Sequence, residues 1–183
     1  MLRKYIKNGF ALMRGFLTSC VCDASNNKFV DKKIRIFLSA MIEFEKGATI
    51  TIKKGTKIME RTRIVARKGA KLVFGENVSI GMDCKIICHE RIEIGENTLI
   101  SPNVLIFDHD HVFDFENGIH RKEFKSAPIS IGRNCWIGSN TVILRGSEVG
   151  DNCVIGAGAV IKGIIPSNSK VVSKRELEIR GGT

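Results

Sequence analysis

Aromatic residues are few in this 183-residue chain: ten Phe, one Trp and one Tyr make up 7% of it. Proline is scarcer still, with three, and no run approaches the ~20 apolar residues of a membrane-spanning helix. The missing run excludes a multipass membrane protein. With 43% apolar residues, disorder and collagen are excluded too, and the length suits one well-cored domain. Six cysteines lack the short regular spacing of a disulfide framework and read as thiols of a reducing compartment. Cys84, Cys88 and His89 find no matching second pair, so no metal site is expected. Acidic residues are rare early in the chain: residues 1–74 hold 17 basic and 5 acidic side chains, whereas residues 75–183 hold 12 and 14. The formal charge of +10 first points to nucleic acid. However, Phe and Tyr are not interleaved with the Lys/Arg run in a stacking pattern, so no nucleic-acid partner is expected.

Leu17-Thr18-Ser19-Cys20 looks like a lipoprotein cleavage box, but Arg14 interrupts the apolar stretch before it, and the chain is read as cytoplasmic with no signal peptide. On a helical wheel, residues 1–17 separate into two arcs. Leu2, Tyr5, Ile6, Phe10, Leu12, Met13, Phe16 and Leu17 fall on one, and Arg3, Lys4, Lys7 and Arg14 on the other. Such a basic amphipathic helix has two roles open to it. It can cap one end of the fold or pack on another subunit, or it can make peripheral contact with an anionic membrane at the inner face.

The strongest pattern lies further on, where Ile131, Ile137, Ile143, Val149, Ile155 and Ile161 recur every six residues. Neither a helix nor an ordinary strand has that period. Gly132-Arg133-Asn134-Cys135-Trp136-Ile137-Gly138 returns 18 residues later as Gly150-Asp151-Asn152-Cys153-Val154-Ile155-Gly156. Three hexads therefore bring the chain back to the same place, as in a triangular prism with an aliphatic side chain pointing inward from each short strand and Gly or Asn at the turns. Gly75-Glu76-Asn77 and Gly95-Glu96-Asn97 carry the frame backwards, with a looser version at Ile52 to Ile58. Coil-to-coil spacing runs 22, 20, 37 and 18. The outlier places a protruding loop near 107–128, and long loops on rigid scaffolds are where function gathers. Three of the four histidines, His109, His111 and His120, lie in it.

These segments, with Ser101-Pro102-Asn103-Val104, Asp108-His109-Asp110-His111, Trp136-Ile137-Gly138-Ser139 and Ile155-Gly156-Ala157-Gly158, resemble the hexapeptide-repeat acyltransferases. Within them, the likeness is to the sugar O-acetyltransferases of the maltose, galactoside, nodulation-factor and capsule or O-antigen type. The resemblance implies an all-β fold, a left-handed parallel β-helix, and acetyl-CoA as acyl donor with no metal. It also implies a homotrimer with active sites between subunits and a sugar or glycan acceptor. Counting from Asn103-Val104, the position matching the family's catalytic histidine is His111, with His109 as competitor; a neighbouring carboxylate or carbonyl is expected to fix its tautomer, with Asp108 and Asp110, and also Asp114, within reach in sequence. Trp136, Gly138, Ser139, Ala157 and Lys162 are the implied cofactor-binding residues, with a backbone N–H near Trp136 to Ser139 for the developing oxyanion. Where related enzymes carry an Asn-rich acceptor segment this chain has Gly81-Met82-Asp83, leaving Asp83 and Asn103 as candidates.

The expected division is a helix and linker over 1–30, a β-helix over 31–165 and a tail over 166–183. The function read from this is O-acetylation of a sugar in surface-polysaccharide biosynthesis. The alternatives are N-acylation of an amino sugar or a drug, and a non-enzymatic adaptor at membrane or nucleic acid. A zinc enzyme of the carbonic anhydrase type is a further alternative, but it would need converging imidazoles, for which His89, His109 and His111 are poorly spaced.

Overall fold

The computed structural model describes residues 9–18 and 28–174. From Lys28–Val30 to Lys170–Val171 the chain winds as a parallel β-solenoid of about six coils. Its all-β architecture is the left-handed β-helix class implied by the resemblance. Wall A has seven strands, from Lys28–Val30 to Ile164–Ile165. Wall B has seven, from Arg35–Ile36 to Lys170–Val171, and wall C six, from Met41–Phe44 to Val160–Ile161. The walls thus reach a strand beyond the expected 31–165 at either end. Lys28–Val30 pairs in register with Ile50–Ile52, and Lys170–Val171 with Val154–Ile155.

The hexad explains the walls. Its aliphatic residue points into the prism, and Ile36, Ile58, Ile80, Ile100, Ile137 and Ile155 are all buried along wall B. Two positions earlier sits a second inward residue, small in most coils although Ile34 fills the place in the first. Where it is Thr, its hydroxyl bonds a carbonyl of the next coil, as Thr98 Oγ1 does to Gly132 at 2.8 Å. Cys84, Cys135 and Cys153 occupy the same slot, their Sγ atoms 3.2, 3.1 and 3.1 Å from the carbonyls of Ser101, Gly150 and Pro166. The buried thiols are therefore substitutes for a core threonine.

Corners require left-handed backbone. Asn77, Asn97, Asn134, Asn152 and Asn168 all have φ between +56° and +62°, a region Asn tolerates better than other side chains. They stack at the A–B corner, where Asn134 Nδ2 reaches Asn152 Oδ1 at 3.2 Å. Before them runs a line of glycines under a different constraint. A Cβ on Gly95 would lie 2.5 Å from the Gly132 carbonyl carbon, so the coils stack too closely there for any side chain.

Two features depart from the solenoid. Residues 109–126 form an antiparallel hairpin, His109–Asp114 with Gly118–Ser126; the excursion expected as a loop is paired strand. Its register shifts between His111 and Val112, and Arg145 Nε on the next coil holds it through Asp110 at 2.5 Å. Residues 9–18 form a helix across the open end of the first coil. Ala11 is buried, and a Cβ on Gly15 would lie 2.2 Å from the Ile34 carbonyl oxygen. Arg14 donates to the carbonyls of Phe37, Leu38 and Ala40. The upstream part of the basic arc, Arg3, Lys4 and Lys7, lies outside the described residues.

Ile86 is fully buried in the third coil. Ile86→Ala is expected to lower stability to urea by about 2–5 kcal/mol, whereas Asn97→Gly, at an exposed left-handed corner, should change it by less than about 1 kcal/mol.

Candidate active site

Wall C ends its fourth coil at Asp108, where a regular solenoid would turn straight into wall A. Here the chain leaves for the hairpin and returns at Ala127, whose N–H bonds the Asp108 carbonyl at 2.9 Å. At this corner the buried Asp108 carboxylate accepts from the N–H groups of His89 (2.8 Å), Glu90 (2.8 Å) and Arg91 (2.9 Å). Its Oδ1 also faces His109 Nδ1 at 3.4 Å.

His109 is thus a half-buried imidazole with a fixed side. Its ring lies flat on that of His89, with centroids 3.7 Å apart and planes 19° apart, and Phe124 from the returning hairpin strand meets both edge-on. Nδ1 is directed at Asp108, leaving Nε2 as the nitrogen available to a ligand. Burial and the neighbouring His109 imidazole hold His89 below the usual histidine value, against the opposing pull of Asp108. Face-to-face rings do not converge on a point, and no group of three or more potential metal ligands occurs among the described residues. Beside the pair opens a pocket of about 380 Å³ lined by Glu45, Arg67, Lys68, His89 and Phe124.

His111 is placed differently. It is exposed on the hairpin and its ring tilts against Phe124 at 4.7 Å, with no carboxylate hydrogen bond among the described residues. Asp110 is taken up by Arg145. His120 bonds Asp114, which also caps the hairpin turn through the amides of Glu116 and Asn117.

The other predicted site residues stand at a different edge. Asp83, Asn103, Ser139 and Ala157 form a ladder up the B–C corner, joined by the bonds Asn103 N to Met82 O, Asn140 N to Pro102 O and Gly158 N to Ser139 O. Trp136 stands half-exposed beside it on wall B, its Nε1 donating to Ser101 Oγ at 3.0 Å. Gly138 has to be glycine, because a Cβ would lie 2.6 Å from Ala157 N. Asp83 is held by a two-point bond from Arg61, at 2.7 and 2.6 Å, which keeps its carboxyl below the ordinary carboxylate range. Lys162, exposed, sits instead at the C–A corner, two coils above Asp108. From Asn103 to Asp108 the chain crosses wall C in five residues, roughly 16 Å at ~3.3 Å each. One copy therefore presents the base candidates and the Trp136–Ser139 ladder on separate edges.

In the sequence His89 was weighed only as a metal ligand, and Phe124, Glu45 and Arg67 were missed. The signal for His89 was available: it lies 20 positions before His109, one early coil. Phe124 carried none, because hairpin register is invisible in the hexads.

Residues 128–163 match the family described as bacterial transferase hexapeptide (six repeats). The chain is 40% identical over 103 residues to galactoside O-acetyltransferase of Escherichia coli strain K12, covering 55% of this chain and 49% of that enzyme. It spans about half the length of the curated relatives it matches. Among solved structures it resembles the polySia-specific acetyltransferase NeuO, with a TM-score of 0.61 and 26% identity over 78% of this chain and 65% of that one. It also shares its fold with AntD, an N-acyltransferase from Bacillus cereus solved with dTDP-4-amino-4,6-dideoxyglucose and coenzyme A. That match has a TM-score of 0.61 and 15% identity, over 82% of this chain and 83% of that one. The expected likeness to hexapeptide-repeat acyltransferases is therefore found in both sequence and structure.

The His89 environment sets a pH dependence. A histidine whose folded value lies below its ordinary 6.5 takes up its proton first in the unfolded chain, so the fold loses stability as pH falls from 6.5 through the folded value. Urea unfolding across that window is expected to show this decline in the wild type. In His89→Phe, which keeps a ring on His109, the slope should be shallower.

Proposed function

We propose that this chain is an acetyl-CoA-dependent O-acetyltransferase. It transfers an acetyl group to a sugar hydroxyl of a surface-polysaccharide precursor, of capsule or O-antigen type, in the cytoplasm. The observation that carries the proposal is the imidazole of His109, fixed at Nδ1 by a buried carboxylate and free at Nε2, at the foot of a hairpin. Galactoside O-acetyltransferase and the polySia-specific acetyltransferase NeuO, similar in sequence and in fold respectively, support acetyl transfer and a glycan acceptor.

In this reading the imidazole takes the proton of the acceptor hydroxyl as its oxygen attacks the thioester carbonyl carbon. Asp108 fixes the tautomer and faces the imidazolium that results. The carbon–oxygen bond forms, the carbonyl becomes a tetrahedral oxyanion, and a backbone N–H near Trp136 to Ser139 stabilises it. The carbon–sulfur bond then breaks and the imidazolium returns its proton to the leaving thiolate. The acyl donor supplies the activated acetyl group. The small residues Gly138, Ser139 and Ala157 leave room along the backbone for its arm, and Lys162 provides charge for a phosphate.

Two imidazoles compete for the base. The family resemblance, counted from Asn103-Val104, favours His111; the carboxylate, the partial burial and the His89 stack favour His109, which we take as the base. The separation of the two edges by wall C supports a homotrimer in which the base of one copy meets the Trp136 edge of the next.

Release of CoA thiol with candidate glycans tests this reading. His109→Ala is expected to lower kcat by about 10²–10⁴-fold, and His111→Ala by much less; the reverse pattern reassigns the base to His111. An O-acetyl product is released by mild alkali, an N-acetyl product is not. Mixing inactive His109→Ala chains with inactive Ser139→Trp chains under subunit exchange is expected to restore activity. No restoration places the whole site within one copy.

A further inference from the structure

The helix of residues 9–18 docks on the solenoid through its small face and its arginine, so its apolar arc looks away from the fold. Phe10, Leu12, Met13, Phe16 and Leu17 are all exposed, the last at 55%, and Leu38 at the adjoining corner is 72% exposed. A contiguous exposed apolar surface of this kind marks an interaction site rather than ordinary surface scatter. What surrounds it identifies the partner. At the A–B corner the exposed turn positions are Lys32 and Lys33 in the first coil and Lys53 and Lys54 in the second. At the C–A corner they are Lys46 and Lys68 in the same two coils. From the third coil on, the A–B corners read Gly75-Glu76-Asn77, Gly95-Glu96-Asn97, Gly132-Arg133-Asn134 and Gly150-Asp151-Asn152. At the A–B corner the lysines are thus confined to the two coils nearest the helix. The acids there are largely committed, Glu43 to Arg63, Glu45 to Arg67 and Asp31 to the Lys33 backbone N–H at 2.7 Å, while the ammonium groups of Lys32 and Lys33 form no ion pair among the described residues.

We infer that this end of the prism is a docking surface for an anionic lipid bilayer. The outward arc of the helix enters the headgroup boundary and the lysine collar lies against the negative leaflet. Unpaired lysines at two corners beside an apolar centre match a negatively charged, apolar-cored surface, which is what an anionic bilayer presents. In a cyclic trimer of side-by-side prisms, as proposed above, all three helices face the same plane, which multiplies the attachment. Bilayer binding itself rests on the single chain and does not depend on acyl transfer.

The test is co-sedimentation of the full chain with phosphatidylglycerol/phosphatidylcholine vesicles and with pure phosphatidylcholine vesicles, at about 0.1 M salt, where charges act over ~10 Å. Binding to the anionic vesicles is expected, at least about 10-fold tighter than to the neutral ones and weakened by raising the salt. The triple variant Phe10→Ser, Met13→Ser, Phe16→Ser is expected to lose about 10-fold or more of that binding with its thermal unfolding unchanged, because these side chains are exposed. Lys32→Gln with Lys33→Gln, outside the helix, should reduce binding to the anionic vesicles alone. Absence of binding, or binding equal in wild type and both variants, overturns the inference. So does a triple variant that lowers the oligomeric state in sedimentation velocity, which assigns the arc to another copy of the chain. Acetyltransferase activity is not read, so the inference stands or falls apart from the proposed reaction.

Discussion

The structure depends on how closely its coils stack. Parallel strands lie ~4.8 Å apart, and at the A–B corner nothing separates one coil from the next. Hypothetical Cβ atoms on Gly75, Gly95, Gly132 and Gly150 would all meet backbone of the following coil at 2.5–2.6 Å. Close stacking permits the uninterrupted inward column of isoleucines, and at the turns it favours glycine or a residue in left-handed backbone, mostly Asn but also Arg61 and Asp83. A coil can be inserted into or can bulge from such a stack only at a corner, and only if the amides left without a neighbour find another acceptor.

Asp108 meets that requirement, and the candidate chemistry follows from it. Where the hairpin leaves the stack, one buried carboxylate binds three corner amides of the third and fourth coils. Leaving such donors unsatisfied in the core would cost roughly 1–3 kcal/mol each. The same carboxylate is then held rigidly enough to orient the imidazole that follows it in sequence. An anionic group required by the fold is thereby the positioning group for the proposed base, and the same anion raises the Cys88 thiol beneath it, where burial is the larger cause. A structural repair at the point where the solenoid is interrupted and a pre-oriented histidine are one arrangement.

This explains which parts were legible in the sequence. The hexads, the corner asparagines and the surplus between Ile106 and Ile129 are properties of local spacing, so the walls, their core and the place of the excursion could be read directly. The choice between His109 and His111 could not, because both belong to one Asp-His-Asp-His run and differ only in which is adjacent to the buried end of wall C. Counting residues from a motif cannot see that Asp108 is turned inward while Asp110 reaches Arg145. Nor could the helical wheel give the docking side of the helix. It ranks arcs by hydrophobicity, whereas the open end of a β-solenoid presents backbone carbonyls, and those select Arg14 and the close approach of Gly15 over Phe and Met.

The charge asymmetry of the chain has the same kind of explanation in reverse. At the A–B corners of later coils the left-handed residue is Asn, and its amide bonds the next amide in the ladder, so the fold itself uses the side chain. At the lysine corners of the first two coils the left-handed residue is Gly where one is present, as at Gly47, Gly55 and Gly69, and the neighbouring lysines project into solvent. Lys54 meets Glu76 at 3.2 Å, but both are well exposed, a geometry worth little to stability. Any polar residue would satisfy those positions equally well. The folding of the solenoid therefore places no demand for positive charge on the coils that carry it, and the demand has to come from what those coils face.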